Sequence, residues 1–316
     1  MPNPIERRGP RQAPPFVFTP IELADGVRGE VLTVCQVPRP GLPEVLPSTD
    51  NWLPWLAQLV ADPAALPGYA TLKYSKSGEI FRARFTVRHG EAIDVVCRYR
   101  QSDGRGASLF KHASRAQGNL RRAVRLLRAG VDTAIPIARI ERRSPTRSSW
   151  LVTEFVPDVV DLDQIVLALL PHLEQSALHK VTAGLSGALV ELLARLDVAR
   201  LYHRDLKASN ILFTHWDGGE GTAKTMLVDL DGLHHRRWWT AHRRWQPLVR
   251  IAASLRDYPA LGRTDYARFL LQYLIRVGIP AGLWKNYFRR FAREAADYAH
   301  RSQHRKSQKL DGFTGG

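Results

Sequence analysis

The chain contains, at residues 203–212, the sequence His203-Arg204-Asp205-Leu206-Lys207-Ala208-Ser209-Asn210-Ile211-Leu212. A second acidic segment, Leu227-Val228-Asp229-Leu230-Asp231-Gly232, places Asp229 nineteen positions after Asn210. In the first segment, Asp205 and Asn210 precede the apolar residues Ile211 and Leu212. In the second segment, Asp229 directly follows an apolar run. This order predicts a polar loop and a nearby strand end that together present carboxylate and amide groups.

These residue types suit the transfer of a phosphoryl group from ATP, in which catalysis consists largely of positioning and charge neutralisation. Asp205 is expected to orient the attacking hydroxyl, and Lys207 to offset charge on the moving phosphoryl group. Asn210 and Asp229 are expected to hold Mg²⁺, with Asp231 as the less favoured metal ligand. The spacing H-R-D-L-x-x-x-N is that of a protein-kinase catalytic loop, so the pattern favours an ATP- and magnesium-dependent kinase.

Composition restricts the class of protein. The chain has 316 residues, of which 44% are hydrophobic and 24% charged, which is typical of a globular protein. Cys35 and Cys97 are too few for a disulfide framework, which favours a reducing compartment. The N-terminus lacks the apolar core of a signal peptide, and apolar runs are shorter than a membrane span. We therefore expect a cytoplasmic protein.

The charge balance predicts an anionic partner. Lys and Arg number 46 against 30 Asp and Glu, which gives a net charge of +16. Such a surplus suits nucleic acid, an anionic membrane surface or a phosphorylated substrate, and charge alone does not choose among them.

The first half of the chain predicts an N-terminal segment and a small lobe. Ten of the 20 prolines lie within residues 1–50, which indicates an irregular segment with one short strand or docking segment at 29–37. A helix is expected at 52–60, with Trp52, Trp55, Leu56 and Leu59 on one side. A kinase-like N-lobe over 51–156 is then predicted from a helix at 113–128 and strands at 69–74, 79–88, 93–99, 135–140 and 150–155.

The second half predicts a mainly helical lobe over 157–316 that contains the catalytic loop. A helix at 180–201, with an apolar stripe, runs into the His203 motif. Further helices are expected at 245–255, 264–277 and 281–300, followed by a fraying, basic C-terminal tail. The fold class is therefore α+β: a bilobal protein-kinase-like fold with a small antiparallel-sheet N-lobe and a mainly helical C-lobe.

Several segments resemble the lipopolysaccharide core kinases, which phosphorylate Kdo or heptose of the inner core. Besides the two motifs above, they are Val95–Arg100, Lys111, Ser114-Arg115-Ala116, Leu126–Pro136 and Arg263–Leu274. The resemblance covers about Leu72 to Leu274. It implies a sugar kinase that acts on a lipid-linked anionic glycolipid. The kinase itself is expected to bind peripherally to the inner face of the cytoplasmic membrane.

The chain departs from the usual kinase pattern at the expected ATP site. Arg98 stands where most kinases have the Lys that binds ATP, and a guanidinium replaces its charge but not its geometry. Asn119 lies near the position of the Glu partner, and residues 115–129 contain no carboxylate. The glycine-rich loop is reduced to Gly78, so Lys73 or Lys76 is expected to contact phosphate beside Arg98.

Three alternatives remain. Lys207 suits a protein serine/threonine kinase, although no A-P-E motif follows Asp229. Arg98 and the missing Glu suit a catalytically weak ATP-binding pseudokinase or scaffold. A nucleic-acid-binding role depends on charge alone and ranks last. The Arg- and Trp-rich segment 234–245 suits either acceptor binding or a structural helix. Neither the sugar, the hydroxyl nor the oligomeric state follows from the sequence.

Overall fold

The computed structural model describes residues 16–23, 26–37, 42–43, 46–75, 78–86, 92–101, 114–142, 147–214, 224–236 and 240–314, with side chains up to residue 302. The chain divides into two compact units. The N-terminal unit comprises Met1–Ala129 and Thr133–Pro157, and the C-terminal unit comprises Gly130–Asp132 and Asp158–Gly316.

The described part of the N-terminal unit is built on a seven-stranded antiparallel sheet, in the order β1-β2-β6-β7-β5-β4-β3. Its strands are β1 (Val17–Leu23), β2 (Val27–Val34), β3 (Ala70–Ser75), β4 (Gly78–Thr86), β5 (Ala92–Gln101), β6 (Pro136–Arg142) and β7 (Ser148–Glu154). Its helices are α1 (Thr49–Ala61) and α2 (Arg115–Arg128). The predicted antiparallel-sheet N-terminal region is therefore confirmed.

Helix α1 packs on this sheet through the face predicted from its sequence. Trp52, Trp55, Leu56 and Leu59 are all buried. The ring of Trp52 stacks on that of Phe85 in β4 at a centroid distance of 3.7 Å. These side chains share one apolar core with the buried residues of β4 and β5, so burial of the aromatic face fixes the helix against the sheet.

The short strand expected at 29–37 is present as β2, but a second strand within residues 1–50 was not predicted. The described residues there contain two paired strands, β1 and β2, and β2 continues the sheet onto β6. Pro20 lies within β1, which stands at the end of the strand order, where the lack of an N–H group is tolerated. The high proline content of this segment is therefore the reason that the edge strand β1 was not predicted. The proposed lobe boundaries stay predictions.

The C-terminal unit is mainly helical, as predicted. Its helices are α3 (Leu162–Gln164), α4 (Gln175–Val198), α5 (Ala241–Leu255), α6 (Arg263–Arg276) and α7 (Trp284–Thr314). Its short strands are β8 (Val159–Asp161), β9 (Leu201–His203), β10 (Ile211–Thr214), β11 (Lys224–Leu227) and β12 (Leu233–His235). The predicted apolar stripe of α4 is buried: Val181, Leu185, Leu189, Leu192 and Leu196.

Two predicted helix ends were wrong. Helix α4 ends at Val198, because Arg200 adopts φ 54° and Leu201 begins β9. Helix α7 continues to Thr314, beyond the predicted helix end at residue 300, and the fraying of the tail stays a prediction. Residues 301–311 contain no Gly or Pro, so nothing in them stops the helix. Among the described helices, none combines the length and apolar character that a membrane span needs.

Candidate active site

The catalytic-loop sequence lies between two short strands that fix both of its ends. Helix α4 leads through a tight turn into β9, and the loop then enters β10 through a 3₁₀ turn, Ala208–Asn210. Strand β9 pairs with β12 and β10 pairs with β11. The segment that contains Asp229 connects β11 to β12, so these pairings align it with the loop that contains Asp205.

Hydrogen bonds join the two segments directly. The Arg204 N–H donates to Gly232 O at 2.7 Å, and the Val228 N–H donates to Asn210 O at 3.0 Å. Within the loop, Asn210 Nδ2 donates to Asp205 O at 2.9 Å. The C-terminal unit therefore contains Asp205, Asn210 and Asp229 on two cross-linked segments.

The accessible side chains of the loop are those expected to contact a substrate. The Asp205 side chain is 58% exposed and that of Lys207 is 48% exposed, with Lys207 Nζ 3.8 Å from Asp205 Oδ2. Asn210, in contrast, is buried. A solvent-accessible carboxylate beside an ammonium group can orient a hydroxyl and offset negative charge on a phosphoryl group.

His203 links the two acidic segments from within the core. It is fully buried, and its ring Nδ1 accepts the Asp205 N–H at 3.3 Å. Nδ1 is then unprotonated, so Nε2 carries the hydrogen and donates to Asp229 O at 3.0 Å. Burial lowers the pKa of His203, against the opposing effect of its bond to Asp229. Sequence reasoning gave His203 no role, because its only signal was its place in the motif.

The Asp229 turn depends on close backbone approach. Asp229 has φ 56° and ψ 60°, a left-handed conformation that costs a non-glycine residue about 1–3 kcal/mol. At Gly232, an added Cβ would lie 3.0 Å from His203 Cε1 and 3.3 Å from Asp205 N. Both contacts are tighter than side chains usually make, so a larger residue at 232 would require His203 or the loop to shift by a few tenths of an ångström. Asp231 lies in the same 3₁₀ turn, Leu230–Gly232.

The donor atoms on these segments are of the kind that Mg²⁺ prefers, and the metal-binding roles of Asn210 and Asp229 stay predictions. Because Asn210 Nδ2 is bonded to Asp205 O, its Oδ1 remains the atom suited to a cation, and the Asp229 carboxylate supplies a second oxygen donor. Mg²⁺ usually takes one or two protein oxygens and completes its shell with phosphate and water. Among the described residues, no group of three or more His, Cys, Asp or Glu forms a metal cage.

The expected ATP-binding cations belong to the N-terminal unit. Arg98 lies half-buried on β5, opposite Ile80 and Leu151 in the strand register, and Lys73 is exposed on β3. Asn119 on α2 is buried, and its Oδ1 accepts a hydrogen bond from Arg122 Nη1 at 2.8 Å. Lys76 and Lys111 lie outside the described residues. The ATP-binding roles of Arg98 and Lys73 stay predictions.

The described part of the Arg- and Trp-rich segment has structural contacts. Trp245 is buried against Phe291 of α7, with a centroid distance of 5.9 Å, and the Arg290 guanidinium lies 5.2 Å from its ring centroid. Arg244 Nε donates to Asp197 Oδ1 at 2.8 Å. Residues 237–239 lie outside the described part of the chain.

Comparisons with known proteins identify a family and a fold for this chain. The model of the lipopolysaccharide kinase (Kdo/WaaP) family matches residues 110–273, about half of the chain. No curated protein matches. Among solved structures, the chain is similar to one described as WaaP in complex with acyl carrier protein, with 20% identity and a TM-score of 0.54 over 75% of this chain and 89% of that chain. At this identity the likeness shows the fold alone, and it supports the predicted bilobal protein-kinase-like α+β fold.

Proposed function

Because the chain belongs to the lipopolysaccharide kinase (Kdo/WaaP) family, we propose that it phosphorylates a Kdo or heptose hydroxyl of the lipopolysaccharide inner core, with Mg-ATP as donor. The family consists of kinases, so the chain is a phosphotransferase. The observation that carries the proposal is the hydrogen-bonded connection between the Asp205–Asn210 loop and the Asp229 turn, which supplies a base and two oxygen donors in one unit.

Each loop residue has a role in this proposal. Asp205 accepts a hydrogen bond from the sugar hydroxyl and directs its oxygen towards the phosphorus. Asn210 Oδ1 and the Asp229 carboxylate hold the magnesium. When bound, Mg²⁺ neutralises charge on the phosphates. Lys207, beside Asp205, balances negative charge on the group in transfer.

Arg98 and Lys73 are proposed to bind the ATP phosphates. Arg98 presents a planar fork that suits two phosphate oxygens, whereas Lys73 offers a point charge. Helix α2 contains no carboxylate that could form the usual ion pair with a Lys. We therefore propose that the Arg98 guanidinium, positioned by other contacts, binds the phosphates in place of a Lys–Glu pair.

The acceptor is proposed to be a lipid-linked, anionic glycolipid at the inner face of the cytoplasmic membrane. The net charge of +16 favours a phosphate-rich acceptor and an anionic membrane surface. Nucleic acid lacks any support besides charge.

Transfer of labelled phosphate from Mg-ATP tests the proposal. The acceptors are dephosphorylated core lipopolysaccharide ending at Kdo, the same material with heptose, and a generic protein mixture. We expect label in one glycolipid, which identifies the sugar. Asp205→Ala should reduce transfer by at least about 100-fold, whereas Asp257→Ala, which removes an exposed carboxylate elsewhere, should not.

The other outcomes are equally decisive. Label in protein alone would establish a protein kinase. Retained ATP binding without label in any acceptor would contradict the proposed enzyme and favour a scaffold. For the metal site, we expect Asp229→Ala to abolish transfer and Asp231→Ala to retain it. The reverse order would assign the metal to Asp231.

A further inference from the structure

Helix α5 contacts the catalytic loop at two points on one of its faces. Arg250 and Ser254 lie one helical turn apart, so their side chains project from the same side of α5. One contacts the loop before Asp205 and the other contacts it between Asp205 and Asn210. Neither residue belongs to the sequence motif or to the proposed chemistry.

Ser254 uses both hydrogen-bonding capacities of its hydroxyl. Its Oγ accepts the Ala208 N–H at 3.0 Å and donates to Ile251 O at 2.8 Å. Ala208 is fully buried and begins the 3₁₀ turn that ends at Asn210. A buried N–H without a partner is unfavourable, so this bond favours one position of the turn.

Arg250 is held between two aromatic rings as it reaches the loop. Its guanidinium lies 5.6 Å from the Tyr202 ring centroid and 5.5 Å from that of Tyr298 on α7. Nη1 donates to His203 O at 3.4 Å. The rings limit the positions available to the guanidinium, so its contact defines where the chain leaves β9.

The contacts from α5 add no negative charge beside Asp205, which must be ionised to act as a base. Helix α5 contains no Asp or Glu, so the loop is anchored by a neutral hydroxyl and a cation. Ser254 satisfies a backbone N–H without adding negative charge near Asp205. Both anchors bind main-chain atoms, and therefore they leave the Asp205 and Asn210 side chains available.

We propose that Arg250 and Ser254 are positioning residues that hold the catalytic loop in its productive geometry: Arg250 fixes its start, and Ser254 fixes the turn that presents Asn210. Their effect on catalysis rests on the proposed roles of Asp205 and Asn210. Their effect on the geometry of the loop does not depend on those roles.

Paired variants separate positioning from folding. Ser254→Ala removes the hydroxyl, and Ser254→Thr keeps it. The control is Thr182→Val, which removes a hydroxyl bonded within its own helix to Leu178 and His179. Arg250→Met removes the fork and charge, with Arg256→Met as the control for an exposed cation at the end of the same helix.

We expect both Ser254→Ala and Arg250→Met to lower kcat about 10-fold or more, because a misplaced catalytic group reduces turnover. In Arg250→Met the KM for ATP should change less than about 2-fold, whereas Ser254→Ala, which displaces the turn of Asn210, should also raise it. Ser254→Thr should restore most of kcat. Control variants with the same kcat loss, or a loss that follows the unfolded fraction alone, would overturn the proposal.

Amide hydrogen exchange of the full chain gives a reading independent of any acceptor. In Ser254→Ala we expect exchange at residues 208–210 to accelerate at least about 10-fold, without change in the strands of the N-terminal unit. Unchanged exchange there would refute the positioning role even if the kinase were active. If exchange accelerates but the wild-type protein shows no transfer activity, the positioning role is supported and the proposed function is contradicted.

Discussion

Replacement of His203 tests whether one buried ring holds both acidic segments. The ring makes two distinguishable bonds, from the Asp205 N–H to Nδ1 and from Nε2 to Asp229 O. An Asn side chain places its oxygen near the position of Nδ1, and a Gln side chain places its amide nitrogen near that of Nε2. His203→Asn therefore keeps the Asp205 bond, His203→Gln keeps the Asp229 bond, and His203→Leu loses both.

The structure sets the expected size of the effect. A buried polar group left without its partner costs about 1–3 kcal/mol. The bond at 3.0 Å is of ordinary length, whereas that at 3.3 Å is long and contributes less. We therefore expect His203→Leu to lower the free energy of unfolding by about 2–4 kcal/mol. That corresponds to roughly 4–16 °C in Tm for a unit of this size.

The assay combines thermal unfolding with phosphate transfer below the transition, where each variant is folded. The Asn and Gln variants should each lose only part of the stability that the Leu variant loses, and the Asn variant, which loses the shorter bond to Asp229 O, should lose more than the Gln variant. All three should lose more activity than the loss of stability predicts, because each variant releases at least one of the two proposed catalytic segments. Equal transfer rates in wild-type protein and His203→Leu would refute the reasoning. So would an Asn and a Gln variant that are each as unstable as the Leu variant.

Two further changes test the surroundings of the site and the sheet. Gly232→Ala places a Cβ 3.0 Å from His203 Cε1 and should reduce transfer about 10-fold. Gly187→Ala in α4, where the added Cβ meets nothing within 4 Å, should retain activity and gain stability, and equal activities of the two variants would contradict the close-contact argument. A hydrogen bond from Arg84 lowers the pKa of Asp94 in the folded protein below its unfolded value, so this ion pair stabilises the fold above about pH 4 and loses that effect as the pH falls further. Asp94→Asn should therefore make Tm less dependent on pH in the acid range, and an unchanged dependence would exclude this ion pair as a cause.

The sequence predicted those parts of the fold whose cause is local. The stripe of α4 and the aromatic face of α1 follow from helical periodicity, and both faces are buried as expected. The class of the C-terminal unit followed from the motif and the helices around it. Strand β1 was not predicted, because a proline at an edge and a proline in a loop look alike in one sequence.

The contacts that arrange the site were beyond sequence reasoning for a different physical reason. Ser254 and Ala208 are 46 residues apart, and the hydroxyl binds a main-chain atom, so no residue type at position 208 reveals the pair. The same holds for His203, whose two partners are backbone groups. Side-chain chemistry leaves a pattern in a sequence, whereas hydrogen bonds to the backbone leave almost none.

This difference bears on whether the chain is an active kinase. The Asp205 side chain is exposed, so its retention alone is no evidence that the loop geometry is productive. Buried His203, glycine at position 232 and the Ser254 hydroxyl each serve that geometry and contact main-chain or ring atoms. Because these contacts arrange the segments that contain Asp205, Asn210 and Asp229, they support the proposed transfer step, whereas the ATP-binding role of Arg98 stays a prediction.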